Sequence, residues 1–234
     1  MYILAIETTG AYASVALADD KTIISKVQGH DRFSHLQNLT PQIEQVLKEG
    51  KLAVGDLDAI AVSQGPGSFT GIRIGVSTAR ALSQVSGRLC VPVPTLEALA
   101  MRAAEDAKAA DALICPILDA RRSQIYGGGY FLENGFPVEK IKAGPYTIDE
   151  FMELTAGYEK VLFLGDGADA YGEKIAQIRQ DGVDFAELYQ DAEQVACLGR
   201  KLFEKGIKAA YSDLEPNYMR IPEAERKLKE KQGK

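Results

Sequence analysis

A chain of 234 residues, 46% hydrophobic and 26% charged, can bury a sizeable core in one or two domains and has the make-up of a soluble globular protein. Its 27 Lys and Arg against 33 Asp and Glu give a formal net charge of −6, which argues against a protein that grips nucleic acid unaided. If RNA is involved, a partner supplies much of the grip. Cys90, Cys115 and Cys197 are odd in number, far apart and free of CxxC spacing, so they read as buried thiols in a reducing compartment. "MYILAIETT" lacks a basic leader segment, and no apolar run approaches the roughly 18 residues of a membrane span. A cytoplasmic protein without membrane contact is expected.

In chain order, "YILAI" (2–6) is a continuous apolar run of strand length, as expected of a central strand. "ASVAL" (13–17) and "TIISKV" (22–27) follow around Asp19 and Asp20, predicting a three-strand meander. In "SHLQNLTPQIEQVLKEG" (34–50), Leu36, Leu39, Ile43, Val46 and Leu47 recur at helical spacing. Ser34 is a candidate cap, Gly50 closes the helix, and Pro41 should kink or restart it. "LDAIAV" (57–62) is a fourth strand, leading through "SQGPGSFTGIRIG" (63–75) into a helix reaching about Val85. "LCVPV" (89–93) is a fifth strand, before a helix with Thr95 as its cap. The order β-β-β-α-β-α-β-α is that of a ribonuclease H-like unit.

The second half repeats this order more faintly. "ALICPILD" (112–119), "SQIYGGGYF" (123–131) and a stretch near 138–143 read as strands, and Thr147 with Glu150 forms a capping box. "KVLFLGDG" (160–167) is a strand, "DAYGEKIAQIR" (169–179) a helix, and "DAEQVACLGRKLFEKG" (191–206) a helix ending in glycine. The boundary is placed in "AAEDAKAADA", giving domains 1–106 and 107–234, the latter ending in a charged, solvated tail (223–234). The fold class expected is α/β, with duplicated ribonuclease H-like units in the architecture of actin, Hsp70 and sugar kinases.

The glycine loop fails both familiar phosphate patterns. No Lys stands where a Walker loop needs one. Gly65, Gly67 and Gly71 miss the G-x-G-x-x-G spacing by one, and no Asp or Glu occurs between residues 69 and 96. In the helix that follows, Gly71, Gly75, Thr78 and Leu82 share a line, with Arg73, Ser77, Arg80 and Gln84 opposite. Such a ridge either packs closely on its own sheet or lets another protein's backbone approach. "IETTGAY" (6–12) has an acid, two hydroxyls and a glycine turn where kinases of this architecture hold a first phosphate loop. The matching place in the second half, "LDARRSQIY" (118–126), carries Arg121 and Arg122 instead of a glycine turn. Gly165, Gly167 and Gly172 open another helix that is a weak anion candidate. His30 and His35 lie about 140° apart on a helix, so neither a two-His metal site nor a Ser-His-Asp triad is expected.

At "GPGSFTGIRIG", "PTLEALA" (94–100), "LDARRSQIY", "ILAIETT", "LTPQI" (39–43) and "PNYMR" (216–220), the chain resembles the TsaB (YeaZ) family over nearly its whole length. That family serves the synthesis of threonylcarbamoyladenosine at position 37 of tRNA and is paralogous to TsaD, once filed with glycoproteases. The resemblance implies a non-catalytic scaffold with no metal and no cofactor of its own. ATP would be carried by TsaD and TsaE, and TsaC/Sua5 would be a functional link. The chain would form a homodimer when alone, and tRNA would bind through the complex rather than directly. Where TsaD has metal-binding histidines after the fifth strand, Thr95 and Leu99 stand here. Glu7 replaces the Asp more usual in the family, leaving Glu7, Thr8, Thr9 and Gly10 as a vestigial nucleotide site. The helices 34–49 and 70–85 would form the shared dimer and TsaD face, through His35, Leu39, Ile43, Gly71, Gly75 and Thr78. On that reading Gly75→Leu blocks TsaD association and leaves the monomer folded. The rival is an independent ATP-dependent phosphotransferase of the sugar-kinase fold, and a metalloprotease stands third.

Overall fold

The computed structural model describes residues 1–32 and 34–220, so the tail at 223–234 lies outside the described residues. The first sheet holds β1 (Ile3–Glu7), β2 (Ser14–Ala18), β3 (Ile23–Gln28), β4 (Ala59–Gly65) and β5 (Leu89–Pro94) in the order β3-β2-β1-β4-β5. The second holds β6 (Leu113–Asp119), β7 (Gln124–Glu133), β8 (Phe136–Thr147), β9 (Val161–Leu164) and β10 (Val183–Ala186) in the order β10-β9-β6-β7-β8. The two orders are the same pattern read twice. β1 runs antiparallel to β2 and parallel to β4, and β6 runs antiparallel to β7 and parallel to β9.

Every residue of β1 is buried, because both faces of its sheet are covered. Leu4 and Ile6 point into a core closed by α1 (His35–Gly50) and α2 (Phe69–Ser86). Ile3 and Ala5 point the other way, onto α6 (Ala192–Glu204), whose Val195, Ala196 and Leu198 fill that side. α3 (Thr95–Arg102) puts Leu96 and Leu99 into the second half, against Ile114, Leu118 and Tyr130. The two helices are thus exchanged: the one early in the chain covers the late sheet, and the last covers the early sheet. Asp191 clamps the exchange, since its buried carboxylate pairs with Lys26 on β3 (3.1 Å) and Arg102 on α3 (3.2 Å).

Most expected elements lie within a few residues of their predicted limits. α1 is one helix through Pro41, neither broken nor restarted, because the buried row Leu39, Ile43, Val46 and Leu47 holds it on the sheet while Pro41 faces solvent. Its end is closed by Lys51 in the left-handed region (φ 56°) rather than by Gly50. Ser34 makes no side-chain cap bond. Pro94, not Thr95, caps α3, and the Thr95 hydroxyl is buried without a hydrogen-bond partner. The capping box of Thr147 and Glu150 opens α4 (Ile148–Thr155). α5 (Asp166–Ile178) begins three residues before the predicted helix. β10 is not predicted at all: four residues, paired only with β9, carry too little pattern. Cys90 and Cys115 are buried, Cys197 is half-buried, and all three are free.

Candidate functional site

Parallel strands of both sheets end at one place between the halves, the usual position of a site in such sheets. There a cleft of about 590 Å³ is lined by Thr9, Gly10 and Phe69 from the first half and Asp119, Arg121 and Tyr126 from the second. The β1–β2 turn closes its floor. Glu7 is buried and aims inward: one carboxylate oxygen accepts from the Thr9 backbone N–H (2.5 Å) and hydroxyl (2.6 Å), and the other accepts from the Ser63 hydroxyl. Burial raises its pKa, and those three hydrogen bonds work against the rise. Three donors of the protein itself thus hold the Glu7 carboxylate. Thr8 is wholly buried and donates to the Gly71 carbonyl (2.8 Å). Gly10 faces the cleft but has the Gln190 amide packed directly on it. Of the four residues expected to hold a nucleotide, only Thr9 and Gly10 line the cleft, and Gln190 fills the space beside Gly10.

The second half offers no close-fitting phosphate turn. Arg121, Arg122 and Ser123 all adopt left-handed backbone (φ 64°, 56° and 59°) at the β6–β7 turn. Asp119 accepts from the Arg121 N–H (2.8 Å), pairs with its guanidinium (3.2 Å) and accepts from the Tyr171 hydroxyl (3.2 Å). At the start of α5, Asp166 accepts from the Asp119 N–H (3.0 Å), and burial raises its pKa, reinforced by the charges of Asp119 and Asp169. Carboxylates therefore stand where an anion would meet the helix N-terminus at Gly165–Gly167.

The partner face needs correction. Gly71 and Gly75 do not present a ridge to the outside: they face Thr8, just after β1, where any side chain at Gly71 would overlap the Thr8 carbonyl and one at Gly75 the Thr8 hydroxyl. His35, Leu39 and Ile43 are likewise buried in the protomer, with at most 5% of their surface exposed. His35 lies with Nε2 3.0 Å from the Gly10 carbonyl oxygen, and burial lowers its pKa against the raising effect of that contact. Of the six residues expected at the interface only Thr78 is part-exposed. A more accessible line lies about 60° round α2, where Ile74, Thr78, Ala81 and Val85 recur at i, i+4, i+7 and i+11; Ala81 and Val85 (89%) are exposed, while Thr78 is part-exposed and Ile74 packs partly on the core. Leu36 at the start of α1 is 78% exposed. The Gly75→Leu expectation falls with the ridge, because that substitution would strike the fold itself.

Two further features escaped the sequence reading. Gln190 gave no motif, and residues 214–220 gave only a family likeness. That segment straps the halves together: Asn217 N–H donates to the Gln64 carbonyl (2.7 Å), Tyr218 stacks on Phe69 (4.8 Å), and Arg220 donates to the Ala120 carbonyl (2.9 Å). Among the described residues no group of three or more His, Cys, Asp and Glu side chains is placed to hold a metal ion, and no helix is long and apolar enough to cross a membrane.

Two sheets of one repeated order, helices on both faces and a cleft between the halves define a duplicated ribonuclease H-like protein of the actin, Hsp70 and sugar-kinase architecture. A hexokinase of the ROK group from Thermus thermophilus shares that fold, with TM-score 0.53 at 15% identity over 88% of this chain and all of its own. The solved structure of YeaZ from Pseudomonas aeruginosa lies nearer, with TM-score 0.77 and 25% identity over 93% of this chain and 100% of its own. The family model for TsaD, described as tRNA N6-adenosine threonylcarbamoyltransferase, matches residues 30–228. The tRNA threonylcarbamoyladenosine biosynthesis proteins TsaB of Bacillus subtilis and Escherichia coli are each 31% identical to this chain. The first covers 99% of this chain and 100% of its own length, the second 97% and 98%. The chain belongs to the TsaB (YeaZ) family, within the wider group that the TsaD model describes.

Proposed function

We propose that this chain is a non-catalytic subunit in the synthesis of threonylcarbamoyladenosine at position 37 of tRNA, binding TsaD and supporting its active site. The near full-length match to two proteins named for that pathway supports the reaction class. One structural observation carries the non-catalytic reading: at both turns of the nucleotide clamp the groups are engaged with the protein itself. Glu7 is bound by Thr9 and Ser63, Gln190 lies on Gly10, and two arginines occupy the second turn. ATP then belongs to TsaD and TsaE, and TsaC/Sua5 supplies the activated threonylcarbamoyl group. The flank of α2 that exposes Ala81 and Val85, with Thr78 beside them, is the contact for TsaD, and for a second copy when the chain is alone. The place of action is the cytoplasm.

The reading is tested by leave-one-out reconstitution. TsaC, TsaD and TsaE receive threonine, bicarbonate, ATP and tRNA, with and without this chain, and modified adenosine is counted. Modification that requires the chain, with no ATP hydrolysis by the chain alone, is the expected result. Equal modification without it, or ATP turnover by the isolated chain, would favour the phosphotransferase of the same fold.

A further inference from the structure

A net charge of −6 describes the whole molecule, but arginine is not spread evenly over it. At the mouth of the cleft, Arg32 and Arg121 line the opening, Arg122 stands exposed beside Arg121, and Arg73 and Arg220 flank them. The flanking pair lies on aromatic rings: Arg73 Cζ is 4.2 Å from the Phe69 ring centre and Arg220 Cζ 5.6 Å from that of Tyr126. Phe69 and Tyr126 line both the cleft and a pocket of about 30 Å³ next to it, which Tyr218 closes. Rings and guanidinium groups therefore form one band from the start of α2, across the cleft mouth, to the β6–β7 turn. All its cations are arginine, whose planar group both stacks and bridges phosphate oxygens.

The turn is held so as to display its arginines. Three successive non-glycine residues in the left-handed region run against the steric preference of L side chains. The conformation is fixed from below, by Asp119 accepting from the Arg121 N–H and by Arg220 donating to the Ala120 carbonyl. Arg121 remains 81% exposed, so its ion pair with Asp119 is one that a phosphate can replace. The remaining cleft carboxylates are engaged with neighbours, Asp166 with the Asp119 N–H and Asp169 with the Tyr189 hydroxyl (2.8 Å). Cations for phosphates beside exposed ring surface for bases is the chemistry that recognises unpaired RNA.

We infer that this arginine–aromatic band is an RNA contact of the chain itself, with Arg121 and Arg122 on the phosphates of an unpaired loop and a base against Phe69. The inference rests on the proposed role in tRNA modification and adds a direct contact to it. An acidic protein segment would use the arginines but leave the rings without a role.

The test is binding of a labelled tRNA anticodon stem–loop to the purified chain, followed by fluorescence anisotropy across a salt series. Arg121→Ala/Arg122→Ala should weaken binding about tenfold at low salt and flatten the log–log salt dependence by about 0.7 for each lost phosphate contact. Phe69→Ala should weaken binding with the salt slope unchanged, and thermal melts should show both variants folded. Three results would overturn the inference: no binding by the unaltered chain, equal affinity in the double arginine variant, or loss of TsaD association with RNA affinity intact. If reconstituted modification needs the chain but the arginine variant binds RNA normally, this inference fails and the proposed function stands. If the variant loses RNA but modification never needed the chain, the proposed function fails and the RNA contact stands.

Discussion

Replacing Gly75 by alanine separates a ridge that packs inward from one that meets a partner. In a solvent-facing helix the change would stabilise by about 1 kcal/mol, since glycine is a poor helix former. Here the new methyl group would overlap the Thr8 hydroxyl, which is fully buried and donates to the Gly71 carbonyl at 2.8 Å. Thr8 must turn, leaving its buried hydroxyl without its acceptor at about 1–3 kcal/mol, and crowding adds about 1–3 kcal/mol. Against the helix gain, a net loss of about 1–5 kcal/mol is expected. Gly71→Ala should cost more, because its methyl group meets the Thr8 backbone carbonyl, which no rotamer relieves. Thr8→Ala removes the obstructing hydroxyl, so Gly75→Ala should cost about 1–2 kcal/mol less in that background. The assay is guanidinium unfolding of the four variants, compared by midpoint at constant slope. A Gly75→Ala variant with a raised midpoint, or with an unchanged midpoint and lost TsaD association, would refute the inward packing.

Other consequences follow from the same contacts. Glu7→Gln should destabilise by about 2–3 kcal/mol, because an amide N–H₂ would face donors that now meet a carboxylate; guanidinium midpoints check this, and a neutral result would show that Glu7 is not bound as described. Asp191→Ala should cost about 1–3 kcal/mol by removing the α6 cap and the buried partner that Lys26 and Arg102 share, although Lys26 keeps Glu193 (2.9 Å) and Arg102 keeps Gln194 (3.0 Å), read by thermal melting. Glu97 has its pKa pushed up to about 6, chiefly by burial and then by Glu139, so the folded state holds its proton more tightly than the unfolded chain does. Its contribution is therefore fully present below about pH 4.5 and is lost as the pH rises through about 6. With partial solvent screening, Glu97→Gln should stabilise by about 1 kcal/mol at pH 8 and have little effect at pH 4, and equal effects at both would contradict the shift.

How much of this was legible in the sequence depended on whether the signal was local. Continuous apolar runs such as Leu113–Leu118 and the Thr147–Glu150 box mark their own elements, so the repeated strand order could be read in advance. The exchange of α3 and α6 could not, because nothing near Leu96 or Val195 states which sheet will receive it. The spacing of Gly71 and Gly75 gave a line on a helix but not its direction. Ile74, Ala81 and Val85 form a second apolar line, and only the contact with Thr8 decides which of the two is inside. The clamp residues were visible as a motif, yet their fate was set by distant partners: Ser63 for Glu7 and Gln190 for Gly10. Arg73, Arg121 and Arg220 are scattered through the chain, and only the fold sets Arg73 on Phe69 and Arg220 on Tyr126, two rings that line the cleft with Arg121.

The central claim is that this chain works by lending TsaD an exposed flank of α2. Its most direct test is Ala81→Arg/Val85→Asp, which changes only side chains exposed in the protomer. Co-elution with TsaD and tRNA modification in the reconstituted system would be measured together, with the thermal melt as a control. The account predicts an unchanged melt with heterodimer and modification both lost. A variant that still pairs with TsaD and sustains modification at the unaltered rate would contradict it.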